Sequence, residues 1–150
     1  MLEAINLSRY GLENNEGGPF GCIIVKDDKI VGKGNNRVTS SNDPTAHAEI
    51  VAIREACKNI GKFQLHDCEI YTSCEPCPMC LGAIYWARPK IVYYANNRKD
   101  AAEIGFDDSM IYDEMMTPLD KRKIPIIEIA RVEAIKIFKE WQQKIDKSEY

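Results

Sequence analysis

Cys68-Glu69-Ile70-Tyr71-Thr72, Pro76-Cys77-Pro78-Met79-Cys80-Leu81-Gly82-Ala83-Ile84-Tyr85-Trp86-Ala87 and Lys90-Ile91-Val92-Tyr93-Tyr94-Ala95 form the run that decides the fold. The outer pieces are short and rich in β-branched and aromatic residues, so they read as strands. The middle piece opens at Pro76 or Pro78 and carries Leu81, Ile84 and Tyr85, so it reads as a helix. The last strand is nearly continuous in apolar residues, as expected where helices cover both faces of a sheet. Upstream, Gly21 to Lys26 and Ile30 to Gly34 flank Asp27-Asp28-Lys29 and read as a hairpin. The first sixteen residues read as a helix with Leu2, Ile5 and Leu12 inward, stopped by Gly17-Gly18-Pro19. Asp43-Pro44 predicts a helix start, with the helix running to about Asn59 and ending at Gly61. Downstream, residues 98–122 read as loop and short helix, and Ile126-Ile127-Glu128-Ile129 as an edge strand. Val132 to Lys147 reads as an amphipathic helix with Ile135, Phe138 and Ile145 inward. Strands alternating with helices after a hairpin predict one domain over 1–150, a three-layer α/β/α architecture with a mixed five-stranded sheet.

Composition limits the function classes. The chain has 150 residues, 45% of them hydrophobic, with 20 Lys+Arg against 23 Asp+Glu and a formal net charge of -3. Such a chain has enough apolar surface to fold and too little net charge to stay disordered. Its longest apolar stretch, Leu81 to Ala87, falls far short of the ~20 residues a bilayer requires. The polar N-terminus lacks the apolar core of a signal peptide, which predicts a cytoplasmic protein with no membrane partner. Mild acidity argues against nucleic acid as a partner, since such binders carry a basic patch.

Six cysteines in a cytosolic chain read as metal chemistry plus buried thiols. Cys77 and Cys80 are three apart, so their sulfurs share one face of a helical turn, and His47 supplies a third donor. Two thiolates and an imidazole suit zinc, and three protein ligands leave a tetrahedral ion one open corner for water. Helix N-termini aimed at the ion would help hold the thiolates. Glu49, two residues past His47, does not share its helix face, so it suits the water or the substrate better than the metal. The alternative is a closed site in which Cys74 joins His47, Cys77 and Cys80, a structural zinc module with no open corner. The spacing H-x-E followed by P-C-x-x-C favours the catalytic reading, because it is the signature of zinc nucleobase deaminases.

Around that motif the chain resembles the cytidine-deaminase-like superfamily, and more closely the bacterial guanine deaminases. The resemblance runs through Gly18-Pro19-Phe20-Gly21, Ser41 to Glu49, Tyr71 to Ala87 and Gly105-Phe106-Asp107-Asp108-Ser109, with an echo in Glu149-Tyr150. It implies zinc-dependent hydrolysis of guanine to xanthine and ammonia within purine metabolism, with one zinc ion and its water or hydroxide in each subunit. Residue by residue it implies His47, Cys77 and Cys80 as zinc ligands and Glu49 as proton shuttle. Asp108 becomes a second catalytic carboxylate at the polar edge of the purine, with binding and proton transfer both open to it. Phe20 and Asn36 become base-pocket residues, and Trp86 and Tyr150 help close the site. The resemblance also implies a homodimer, and leaves open whether the segment around 132–147 is exchanged between subunits.

Each assignment has a plainer counterpart. Phe20 fits a core aromatic, Asn36 a turn residue and Asp108 a cap for a helix near Ser109. Trp86 fits core packing, and Cys22, Cys57 and Cys68 fit small buried hydrophobes. A tRNA adenosine deaminase would share the zinc motif, but it needs clustered basic residues for phosphates. The tail here is mixed in sign.

Overall fold

Two aspartates make the first turn of the sheet. Strands β1 (Gly21–Lys26) and β2 (Lys29–Asn35) pair antiparallel around Asp27 and Asp28, which have φ of 48° and 59°. Positive φ at both turn residues gives a two-residue hairpin loop whose twist matches that of its strands. Strand β3 (Glu69–Cys74) pairs antiparallel with β1 on its other side, and β4 (Ile91–Asn96) pairs parallel with β3. The order β2-β1-β3-β4 makes a mixed sheet of four strands among the described residues, not the five expected.

The structure is a computed structural model that describes residues 1–149. It divides into two compact units, one ending at Asp108 and the other starting at Ser109. The first contains the sheet with α1 (Leu2–Glu13), α2 (Val38–Ser41), α3 (Ala48–Ile60), α4 (Pro78–Ala87) and α5 (Arg98–Glu103). Helix α1 lies on the Gly21 face of the sheet, packing through buried Ala4 and Gly11 rather than through Leu2 and Leu12, which are exposed. Close approach to the strands selects small residues on that helix. Helices α3 and α4 cover the opposite face, where Ala48, Ala52, Ala56, Ile84 and Ala87 form one core with Cys22, Ile24 and Ile70. Helix, sheet and helix thus make three layers.

Gly34 sets how closely α3 sits on the sheet. A Cβ there would run into the Ala48 carbonyl oxygen and lie 2.7 Å from the Ala52 amide nitrogen. Gly34→Ala is therefore expected to push back the first turn of α3, costing about 1–3 kcal/mol through overpacking. Chemical denaturation would read this as a lower midpoint at unchanged slope.

Helix α3 begins at Ala48, with His47 as its N-cap, and not at Asp43-Pro44. The Asp43 carboxylate instead accepts hydrogen bonds from the Thr45 amide at 2.8 Å and its hydroxyl at 2.7 Å. This local turn competes with helix, as Asp side chains do. The second unit contains α6 (Ser109–Met116), a 3₁₀ turn (Leu119–Lys121) and α7 (Arg131–Gln143). None of its described residues is buried. Residues 126–129, expected as an edge strand, pair with no strand among the described residues, and Ile126, Ile127 and Ile129 are exposed. A strand needs a neighbour for its ladder, and apolar character alone does not supply one. Phe138 and Ile145, expected inward, are also exposed. Among the described residues no helix is long and apolar enough to cross a membrane.

Candidate active site

Two helix N-termini bring the chemistry together. His47 is the N-cap of α3 and Cys77 that of α4, yet neither side chain makes a capping hydrogen bond. Capping positions usually hold Ser, Thr, Asp or Asn bonded back to the helix. Here both side chains turn toward each other instead. His47 Nδ1 lies 3.5 Å from Cys77 Sγ and 3.6 Å from Cys80 Sγ, and all three donor atoms lie within 4.8 Å of one another. Tetrahedral zinc with ordinary Zn–N and Zn–S bond lengths holds nitrogen and sulfur about 3.6 Å apart. The donor set fits zinc in both type and spacing.

Cys74 does not join this group. Its thiol donates to the Asn97 carbonyl oxygen at 3.7 Å, and burial pushes its pKa up to about 11. Among the described residues the cluster has three protein ligands, which is the arrangement of an open catalytic site and not of a closed structural one.

Charge follows the geometry. Cys77 is drawn down to about 4, chiefly by the hydrogen bond from the Cys80 thiol, with His47 assisting. Its position at a helix N-terminus favours the thiolate in the same sense. Cys80 is pushed up, as the partner that keeps its proton beside that thiolate. The hydrogen bond to Cys77 raises His47. A metal ion must displace the protons left on His47 and Cys80. Zinc affinity is therefore expected to rise steadily between about pH 6 and pH 8, as competition with a chromophoric chelator would show.

Glu49 stands in the first turn of α3, 6% exposed. One carboxylate oxygen, Oε1, accepts from the Thr72 hydroxyl at 2.9 Å, and the other, Oε2, lies 3.4 Å from Cys80 Sγ. Burial raises its carboxyl above the ordinary range, which suits a group that must both take and give a proton.

Asn36 and Phe20 meet at a stitched loop. Asn36 is 4% exposed. Its amide nitrogen donates to the Phe20 carbonyl at 3.0 Å, and its side-chain oxygen accepts from the Gly18 and Val38 amides, both at 3.2 Å. Its side-chain acceptor is thus occupied, and its Nδ2 donor is the group left to recognise a ligand. Phe20 is half-buried against the core and meets Phe106 edge-to-face at 4.9 Å. Asp108 is half-buried, and its carboxyl is raised first by burial and then by the Cys77 charge. Trp86, expected as core packing or a pocket wall, is 64% exposed on α4. The expectation for Tyr150 falls outside the described residues. Residue spacing did not single out Thr72 or Phe106. A polar residue at a buried strand position was the available signal for Thr72, because a buried hydroxyl must find a partner.

The family of the cytidine and deoxycytidylate deaminase zinc-binding region matches residues 1–96. The chain belongs to that family. Guanine deaminase of Bacillus subtilis (strain 168) is 56% identical over 150 residues, covering 100% of this chain and 96% of that one. The X-ray structure of guanine deaminase from Bacillus subtilis covers 99% of this chain and 95% of its own at 55% identity, with a TM-score of 0.96. The tRNA-specific adenosine deaminase of Buchnera aphidicola subsp. Schizaphis graminum (strain Sg) is 39% identical over 138 residues, 91% of this chain and 87% of that one. The zinc of this deaminase family agrees with the donor triangle formed by His47, Cys77 and Cys80.

Proposed function

We propose that this chain is a zinc-dependent guanine deaminase, hydrolysing guanine to xanthine and ammonia. The observation that carries the reading is the end-to-end match, at 56% identity, to a guanine deaminase. Because that match spans all 150 residues, both units belong to one deaminase domain in this reading.

His47, Cys77 and Cys80 would hold zinc, which supplies Lewis-acid activation of water when bound. Glu49 takes the proton that the attacking water gives up as the water adds to C2 of guanine. It then hands that proton to ring N3. The hydroxyl now on C2 gives up the second proton of that water, which Glu49 passes to the amine; the C2–N bond breaks as the carbonyl forms, leaving xanthine and ammonia. Phe20 offers a ring for the flat base to stack on, and the Nδ2 of Asn36 donates to an acceptor on the purine edge. Asp108 accepts from the N–H groups around C2, and its raised carboxyl equips it to assist proton transfer to the amine. Adenine lacks those donors, so it would leave a carboxylate unpaired. In the same reading Trp86 helps to close the site, as the resemblance implies.

Ammonia release from guanine, adenine, cytidine and tRNA tests the reading. Guanine is expected to exceed adenine in kcat/KM by at least about 100-fold. Faster turnover of adenosine in tRNA would instead make the chain a tRNA deaminase, the activity named for the Buchnera relative.

The same reading takes the enzyme to be a homodimer. Leu81, Tyr85 and Trp86 are exposed together on α4, and Val132, Ile137, Phe138 and Trp141 on α7. So much uncovered apolar surface supports association with a second copy, with exchange of the C-terminal segment as one way to cover it. Sedimentation should give twice the 17.1 kDa of one chain. A single-chain mass would contradict the dimer.

A further inference from the structure

Strand β3 carries a buried hydroxyl aimed at the deaminase's base. Thr72 sits between Cys22 of β1 and Tyr94 of β4, so both neighbouring strands hold its backbone. Its side chain is 1% exposed and points to the α3 side of the sheet, where Oγ1 donates to Glu49 Oε1 at 2.9 Å. The two oxygens of Glu49 are thereby distinguished: Oε1 faces the sheet, and Oε2 lies 3.4 Å from Cys80, beside the metal ligands.

We propose that Thr72 is a positioning residue for guanine deamination, holding Glu49 by Oε1 so that Oε2 is the oxygen that exchanges protons. This rests on the reading of Glu49 as the proton shuttle. A glutamate near a helix start has three rotatable side-chain bonds, and one bond from the helix cannot fix its carboxylate. A β-branched side chain in the middle of a sheet has few rotamers of its own and makes a stiff anchor. The hydroxyl also satisfies one of the two buried carboxylate oxygens, which would otherwise be costly to leave without a donor. A displacement of even about 1 Å at a reacting group lowers rates steeply, so the anchor acts on turnover and leaves substrate affinity alone.

The test compares Thr72→Val, Thr72→Ser and Glu49→Gln as zinc-loaded full-length proteins, with kcat and KM for guanine, zinc content and crystal structures. Thr72→Val is expected to lose about tenfold in kcat with KM and zinc content unchanged, and its Glu49 carboxylate should leave the sheet-facing position. Thr72→Ser, which restores the donor, should recover kcat to within about twofold of the parent. Should Thr72→Val not fold, Thr72→Cys, close in size with a far weaker donor, carries the same comparison. An unchanged kcat in the Val variant, or equal losses in Val and Ser, overturns the positioning role. Normal turnover by Glu49→Gln would overturn the shuttle reading itself, whereas a slow Gln variant beside an unaffected Val variant defeats only the role of Thr72.

Discussion

Glu49→Gln is expected to keep its zinc and its fold and to deaminate guanine about 10³-fold more slowly than the parent protein. The amide oxygen can still accept from Thr72, which donates to Oε1 at 2.9 Å in the parent, so the anchoring contact survives. What disappears is the ability to take a proton from water and return it to the ring. Stability should move the other way. Burial raises the Glu49 carboxyl, so its ionised form is disfavoured in the folded state. A group raised in this way withdraws stability as pH rises through its folded pKa. Replacing it with a neutral amide removes that loss, and the metal-free variant should melt no lower than the parent at pH 8. Calorimetry beside an ammonia assay separates lost chemistry from lost structure. A variant that melts earlier would place Glu49 among the structural residues.

Cys80→Ala should abolish activity by a different route. Cys80 is fully buried and lies 3.6 Å from His47 Nδ1. Removing it leaves two donors, fewer than either structural or catalytic zinc sites use. Even groups that only orient metal ligands are worth about 10–100-fold in affinity, so loss of a ligand should weaken zinc binding by more than about 100-fold. Dialysis against a mild chelator followed by metal analysis would find the parent loaded and the variant empty. Cys74→Ala provides the control. Its thiol bonds to the Asn97 carbonyl and lies outside the ligand group, so that variant should retain its zinc.

Features fixed by local chemistry are legible from the sequence alone. Asp27-Asp28 between apolar runs marked the hairpin, and the structure places both in positive φ. The CxxC of Cys77 and Cys80 marked a shared face, because three residues make nearly one helical turn. His47 reads as a ligand even from a helix begun four residues too early, since α3 starts at Ala48. Asp43 and Pro44 imitate an N-terminus, and only the bonds from Thr45 show that the Asp43 side chain is spent on a turn. Long-range contacts were less legible. Ile126 to Ile129 have the composition of a strand, but their pairing depends on an edge elsewhere. The final helix has an apolar side, and periodicity cannot say whether that side meets its own chain or another copy. Thr72 looked like an ordinary strand residue, because the carboxylate it serves lies 23 residues earlier in the chain.

X-ray absorption at the zinc edge of the loaded enzyme counts the ligands around the ion. Two sulfurs, one imidazole and one light oxygen atom are predicted, the last being the solvent position that hydrolysis requires. A spectrum that needs three sulfurs would put Cys74 on the metal, close the fourth corner and contradict a hydrolytic role for the site.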